Sequence, residues 1–148
     1  MIQEFVKAWD ENKNRLKEYF MTHQISQYNE YKDLVFLLFD LVINPYLSEF
    51  DKWNIDKIHV IDDGDYQGDY VFLIPKECYQ PASYDYVVTT VSYGSCSGCD
   101  TLLKIISKYP DEDVYPKEEE TNEYMILCLH LLQKCKYLYT EEEYYNEI

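Results

Sequence analysis

Positive charge is scarce in this chain. Thirteen Lys and Arg stand against 28 Asp and Glu in 148 residues, a formal net charge of −15 with a pI near 4.4. A surface of that sign repels phosphates and anionic headgroups, which argues against direct nucleic-acid or membrane binding. Long apolar runs are missing too. The longest, Leu34–Phe39, is bounded by Asp33 and Asp40 and falls far short of the ~20 residues needed to span a bilayer. The opening Met-Ile-Gln-Glu-Phe has neither the basic start nor the apolar middle of a secretory signal. Five cysteines, an odd number at uneven spacing, make no disulfide framework, so the expected location is a reducing cytosol. Common catalytic sets are also absent. There is no Gly-x-Ser-x-Gly, Walker loop or His-Glu-x-x-His, and His23, His59 and His130 stand apart. These gaps favour a non-enzymatic protein, and no motif asks for a cofactor.

What is present suits one domain large enough to bury its own core. Hydrophobic residues make up 47% of the chain, and 17 residues are tyrosine, which can serve both core and contact surface. Ile2, Phe5, Val6, Trp9, Leu16 and Phe20 keep helical spacing, with a weak patch at Asn12–Asn14. A second helix is expected over Ile25–Ile43, with Tyr28, Tyr31, Leu34, Val35, Leu38 and Leu41 buried and Asn44-Pro45 ending it. Lys57–Asp62, Asp69–Pro75 and Tyr84–Ser92 read as strands. Helices follow at Thr101–Tyr109 and Thr121–Tyr139, the second striped by Tyr124, Leu127, Leu131, Cys135 and Leu138. Thr140 and Glu143 match a capping box for a last short turn. The expected fold is α+β: a small three-stranded antiparallel sheet flanked by N-terminal and C-terminal helices, as one domain over residues 1–148.

Residues 93–101 concentrate the chemistry. Tyr-Gly-Ser-Cys-Ser-Gly-Cys-Asp-Thr places Cys96 and Cys99 where a strand gives way to a helix. The free amides and dipole of a helix start favour thiolate, so a redox pair is feasible there. Against it stand the order of elements, the Asp100 carboxylate beside Cys99, and prolines 75, 81 and 110, which read as loop or terminator residues. Zinc would need a second ligand pair, from Cys128, His130 and Cys135, or one of these with His59 or Cys78. A third reading is structural: Gly94 and Gly98 turn the chain, Ser95, Ser97 or Asp100 caps the helix, and the cysteines act as small buried apolar groups. Redox, metal and structural roles all stay open.

Two acidic stretches carry further expectations. Counted from Asp63, the loop Asp62-Asp63-Gly64-Asp65-Tyr66-Gln67-Gly68-Asp69 has oxygen ligands at the first, third and fifth positions of a calcium loop. Ile74 occupies the twelfth, where a bidentate Glu is required, so a hairpin turn is the better reading. Charge is uneven along the chain. Through Lys57 there are seven basic and ten acidic residues, net −3; from Ile58 there are six and eighteen, net −12.

Gly-Asp-Tyr-Gln-Gly-Asp in the loop, followed by Tyr-Gly-Ser-Cys-Ser-Gly-Cys-Asp-Thr-Leu, resembles segments of a group of small phage and bacterial proteins to which no activity is assigned. The resemblance covers about the middle third of the chain. It implies an accessory gene of a phage or mobile element working in a host cytosol, and it carries no residue roles. In that setting the acidity points to a protein that binds and inhibits a basic host protein, one that handles nucleic acid or serves in defence, by imitating nucleic-acid charge. The surface expected to do so is Asp111, Glu112, Asp113, Glu118, Glu119, Glu120 and Glu123, with exposed tyrosines as anchors. The alternative is a thiol-redox or structural metal protein centred on Cys96 and Cys99. A tyrosine-rich acidic surface would also support a homodimer.

Overall fold

The computed structural model describes residues 1–26, 28–96, 98–109 and 117–147. The expected Asp111, Glu112 and Asp113 fall outside them. The fold is α+β, with helices from both ends of the chain packed against an antiparallel sheet.

Helix α1 (Gln3–Thr22) buries Phe5, Ala8, Trp9, Asn12, Leu16 and Phe20, positions three or four apart on one helix face. The weak patch in its sequence has a structural use. Asn12 is buried, and its Nδ2 donates to the Val42 carbonyl at 3.0 Å. Helix α2 (Tyr31–Leu38) starts six residues later than its apolar pattern suggests, because the Glu30 amide donates to Asp33 Oδ2 at 2.8 Å and the Asp33 amide to Glu30 O at 3.0 Å there. Tyr28 is left outside it and exposed.

The expected stop at Asn44-Pro45 is not where the helix ends. α2 widens into a π-helical turn, Phe39–Ile43, and continues as α3 (Asn44–Tyr46). In the widened turn the Asn44 amide reaches back five residues to Phe39 O. A proline clashes with the carbonyl four residues behind it and has no amide to offer. The wider turn relieves that conflict, and Asn12 supplies a donor to the neighbouring Val42 carbonyl. Asn44 then holds Trp53 from both sides, donating to Trp53 O at 2.9 Å and accepting from its amide at 2.8 Å. Phe5 meets both Phe39 and Trp53 edge to face. Each such fully buried apolar side chain contributes about 1.5–3 kcal/mol.

The sheet has order β1-β2-β3-β4, all antiparallel. β1 (His59–Asp62), β2 (Gly68–Pro75) and β3 (Tyr86–Tyr93) are the three expected strands. The fourth, β4 (Lys136–Tyr137), lies in what reads as the end of a long helix. Helix α5 (Glu118–Gln133) closes early, with the Lys134 amide on His130 O and the Cys135 amide on Leu132 O. The chain then pairs with Val88 and Val87, and the Leu138 amide reaches Tyr86 O. Tyr124, Leu127, Leu131 and Cys135 are buried as expected, whereas Leu138 is exposed.

α5 is tied to the sheet at one buried point, where Thr89 Oγ1 donates to Leu131 O at 2.6 Å. Helix α4 (Thr101–Lys108) follows β3 directly. The last helix, α6 (Glu141–Glu147), is capped by Thr140 and Glu143 in both directions, at 3.0 and 3.1 Å. No helix among the described residues is long and apolar enough to cross a membrane.

Candidate functional site

The turn from β3 into α4 is organised by one carboxylate. Asp100 is the N-cap of α4 and is 7% exposed. Its Oδ1 accepts from the Leu103 amide at 3.1 Å and from the Tyr31 hydroxyl at 2.6 Å, and its Oδ2 accepts from the Gly94 amide at 3.0 Å. The Tyr31 oxygen in turn accepts from the Leu102 amide at 3.0 Å. A single buried anion thus joins α2, the end of β3 and the start of α4, with charge-assisted bonds from neutral donors. Burial first, and then the bond to Asp100, pushes the Tyr31 phenol well above its ordinary pKa. Of the three residues considered as the cap, Asp100 fills the role.

The thiols sit outside this knot. Both Cys96 and Cys99 are exposed, which corrects the reading of them as buried apolar groups; the buried cysteines are Cys128 and Cys135. The Cys96 and Cys99 sulfurs are 2.6 Å apart. Cys99 Sγ is also 3.2 Å from both the amide nitrogen and the carbonyl oxygen of Cys96. The hydrogen bond from Cys99 lowers the pKa of Cys96, helped by the Gly98 amide, while the same bond raises that of Cys99. Of the two, Cys96 therefore gives up its proton more readily, with the Asp100 charge opposing the shift.

Cys128 and Cys135 belong to the core. Burial pushes the Cys128 thiol far up and the Cys135 thiol up to about 12. The second ligand pair that zinc would require is not assembled: no group of three or more His, Cys, Asp or Glu suited to a metal occurs among the described residues.

Beside the corner lies a cleft of about 200 Å³. Tyr31, Tyr70, Tyr93 and Asp100 line one part of it, and Leu102, Leu103 and Ile106 of α4 line another. Tyr70 and Tyr93 stack at 4.2 Å and 20°, and Tyr31 tilts against Tyr70 at 6.1 Å. Strand register produces the stack. Tyr70 pairs with Val91, which makes Tyr93 its diagonal neighbour on the same face. The Tyr93 hydroxyl meets the Asp62 carboxylate and lies 2.8 Å from Gly64 O, fastening the β1–β2 loop to the cleft. Burial, followed by the charges of Asp62, Glu30 and Asp100, pushes the Tyr70 phenol up.

The loop itself is a hairpin joining β1 to β2. Asp62 Oδ1 accepts from the Gly64 amide and Asp63 Oδ1 from the Asp69 amide. Gly64 has to be glycine, because an added β-carbon would lie 2.0 Å from Gln67 O.

The acidic face expected on α5 is largely used within the molecule. Glu118 pairs with Lys17 at 3.7 Å, while Glu119 and Glu123 share Lys108 at 3.9 and 3.1 Å. Glu120, expected to face a partner, is only 3% exposed and accepts a 3.4 Å bond from Gln24 Nε2. By contrast, no ion pair among the described residues involves Asp62, Asp63, Asp65 or Asp69. The β1–β2 loop therefore holds a group of carboxylates that no described cation pairs with, next to the tyrosine cleft. Sequence reasoning missed the Tyr31, Tyr70 and Tyr93 cluster. Its only signal is the β2–β3 register, which sets Gly68 opposite Tyr93.

Neither a protein-family model, nor a curated protein, nor a solved structure matches this chain.

Proposed function

We propose that the protein works by binding and inhibiting a basic protein of the host cell, one that handles nucleic acid or serves in defence, without catalysing a reaction. One observation carries this reading: the β1–β2 loop presents Asp62, Asp63, Asp65 and Asp69 without cationic partners among the described residues, on a chain of net charge −15. Three of the four are held by neutral donors. Asp69 Oδ1 accepts from Ser92 Oγ at 2.6 Å, and Asp62 and Asp63 accept backbone amides. Carboxylates fixed in this way need no rearrangement to meet a basic groove, and their field steers the encounter.

Two double variants test the proposal against a captured host protein at low salt. Asp63→Asn with Asp65→Asn should weaken capture about tenfold or more, while Glu118→Gln with Glu119→Gln should change it less, because exposed charges already paired add little. Affinity unchanged by the loop variant rules the reading out.

A second reading rests on the 2.6 Å contact between the exposed sulfurs and the lowered pKa of Cys96. In it, the Cys96 thiolate attacks a partner disulfide to form a mixed disulfide. Cys99, losing its proton, then displaces the partner, which leaves as a dithiol while Cys96 and Cys99 become a disulfide. Mixed-disulfide trapping with Cys99→Ser is the test; no trapped partner from an oxidised lysate counts against it.

A further inference from the structure

We infer that the tyrosine cleft is a receptor for one long cationic side chain, a lysine or arginine, of the basic partner. The inference rests on the reading of that partner as basic and says where its contact is anchored. Size comes first. A space of about 200 Å³ is below the ~300–1,000 Å³ typical of cofactor and metabolite pockets, yet suits a single side chain. The walls then choose which side chain. Leu102, Leu103 and Ile106 offer an apolar surface, the kind of surface along which an aliphatic stem packs while its charged head stays near polar groups.

At the other side the head would meet Tyr70, the least buried ring of the cluster, whose stacked partner is Tyr93. Aromatic faces attract cations and do not attract anions. Glu30 and Asp100 are among the residues lining the same space, and their charges, with that of Asp62 held on the Tyr93 hydroxyl, act on the Tyr70 phenol. Anions are repelled here. A neutral apolar side chain would leave the acidic side of the cleft without a complement. Charge complementarity therefore selects the amphipathic cation.

The full chain, labelled with nitrogen-15, can be titrated with N-acetyl-arginine amide, with N-acetyl-lysine amide, and with the citrulline analogue, which keeps the shape of arginine but not its charge. Saturable shifts confined to the amides around Tyr31, Tyr70, Tyr93, Leu103 and Ile106 are expected for the two cations and not for citrulline. Tyr70→Ala should weaken that binding about fivefold or more, the loss of one cation–ring contact. Glu30 holds the start of α2 through its backbone, its amide donating to Asp33 Oδ2 and its carbonyl accepting from the Asp33 amide, so Glu30→Gln removes only a side-chain charge and should also weaken binding without disturbing the fold.

Equal binding of citrulline would overturn the inference in favour of a neutral occupant. Unsaturable shifts spread over all acidic surfaces would overturn it in favour of diffuse charge attraction. If Tyr70→Ala abolishes the arginine titration but leaves capture of the host protein intact, the receptor assignment falls while the inhibitor reading stands. If the cleft binds arginine and the loop variant leaves capture untouched, the inhibitor reading falls and the receptor stands.

Discussion

The Cys99 side chain lies directly on Gly94. A β-carbon at position 94 would sit 2.4 Å from Cys99 Sγ, 2.8 Å from its Cβ and 2.9 Å from its carbonyl oxygen. Part of that obstacle is backbone, so rotating the cysteine cannot clear it. Gly94→Ala should destabilise the protein by about 1–3 kcal/mol, the usual cost of overpacking. It should also move Cys99 away from Cys96. Urea unfolding checks the first effect and thiol reactivity the second; a variant of wild-type stability would mean that the corner relaxes freely.

Asn12 links the first helix to the widened turn that accommodates Pro45. Asn12→Leu would leave the Val42 carbonyl without the Nδ2 donor at 3.0 Å. The expected loss is about 1–3 kcal/mol, the penalty for a buried polar group left unsatisfied. Thermal or chemical denaturation measures it. No loss would show that another donor replaces Asn12 there.

Glu120 predicts a pH dependence. Burial raises its carboxyl pKa above the ordinary value. A folded state that holds the proton more tightly than the unfolded chain loses stability as pH rises from the unfolded pKa through the folded one. The penalty is complete above that window and vanishes below about pH 4, where both states are protonated. Glu120→Gln should therefore be more stable than the parent at neutral pH. Its new amide could also donate to Gln24 Oε1, which has no hydrogen-bond partner among the described residues. The gap should close on acidification, and denaturation midpoints across pH would reveal it. A variant less stable than the parent at neutral pH would contradict this account.

Cys99 should govern the reactivity of Cys96. Its hydrogen bond is the largest cause lowering the Cys96 pKa. Cys99→Ala removes that donor, so the alkylation profile of Cys96 should move to higher pH and its rate at neutral pH should fall. Cys99→Ser, with a hydroxyl in place of the thiol, should retain part of the effect. Identical profiles for the parent and Cys99→Ala would show that the backbone amides alone set the pKa.

Much of the fold is legible in the sequence because burial imposes periodicity. The alternation through Tyr84–Ser92 and the spacing of Phe5, Trp9, Leu16 and Phe20 lead to β3 (Tyr86–Tyr93) and α1. Illegible features are those decided by distant partners. Pro45 reads as a stop, yet the π turn and Asn12 let the helix pass it. Lys136 and Tyr137 carry no turn signal and become a strand because the edge of β3 is available beside them. Glu120 reads like its acidic neighbours in Glu118–Glu120, and only the packing of Gln24 and Tyr124 around it distinguishes it. The tyrosine cleft stays hidden because Tyr31 lies 39 positions from Tyr70 and 62 from Tyr93 in the sequence.

The knot at Asp100 has a kinetic consequence for the sulfurs it leaves outside. The chain between Gly94 and Asp100 is fastened at both ends by one carboxylate, so its ends cannot drift apart without breaking a buried network. Closing so short a loop costs little further entropy. Each thiol consequently experiences the other at an effective concentration in the millimolar range or above. A reagent with two thiol-reactive arms, or a disulfide, that engages Cys96 is then expected to meet Cys99 before a second molecule arrives.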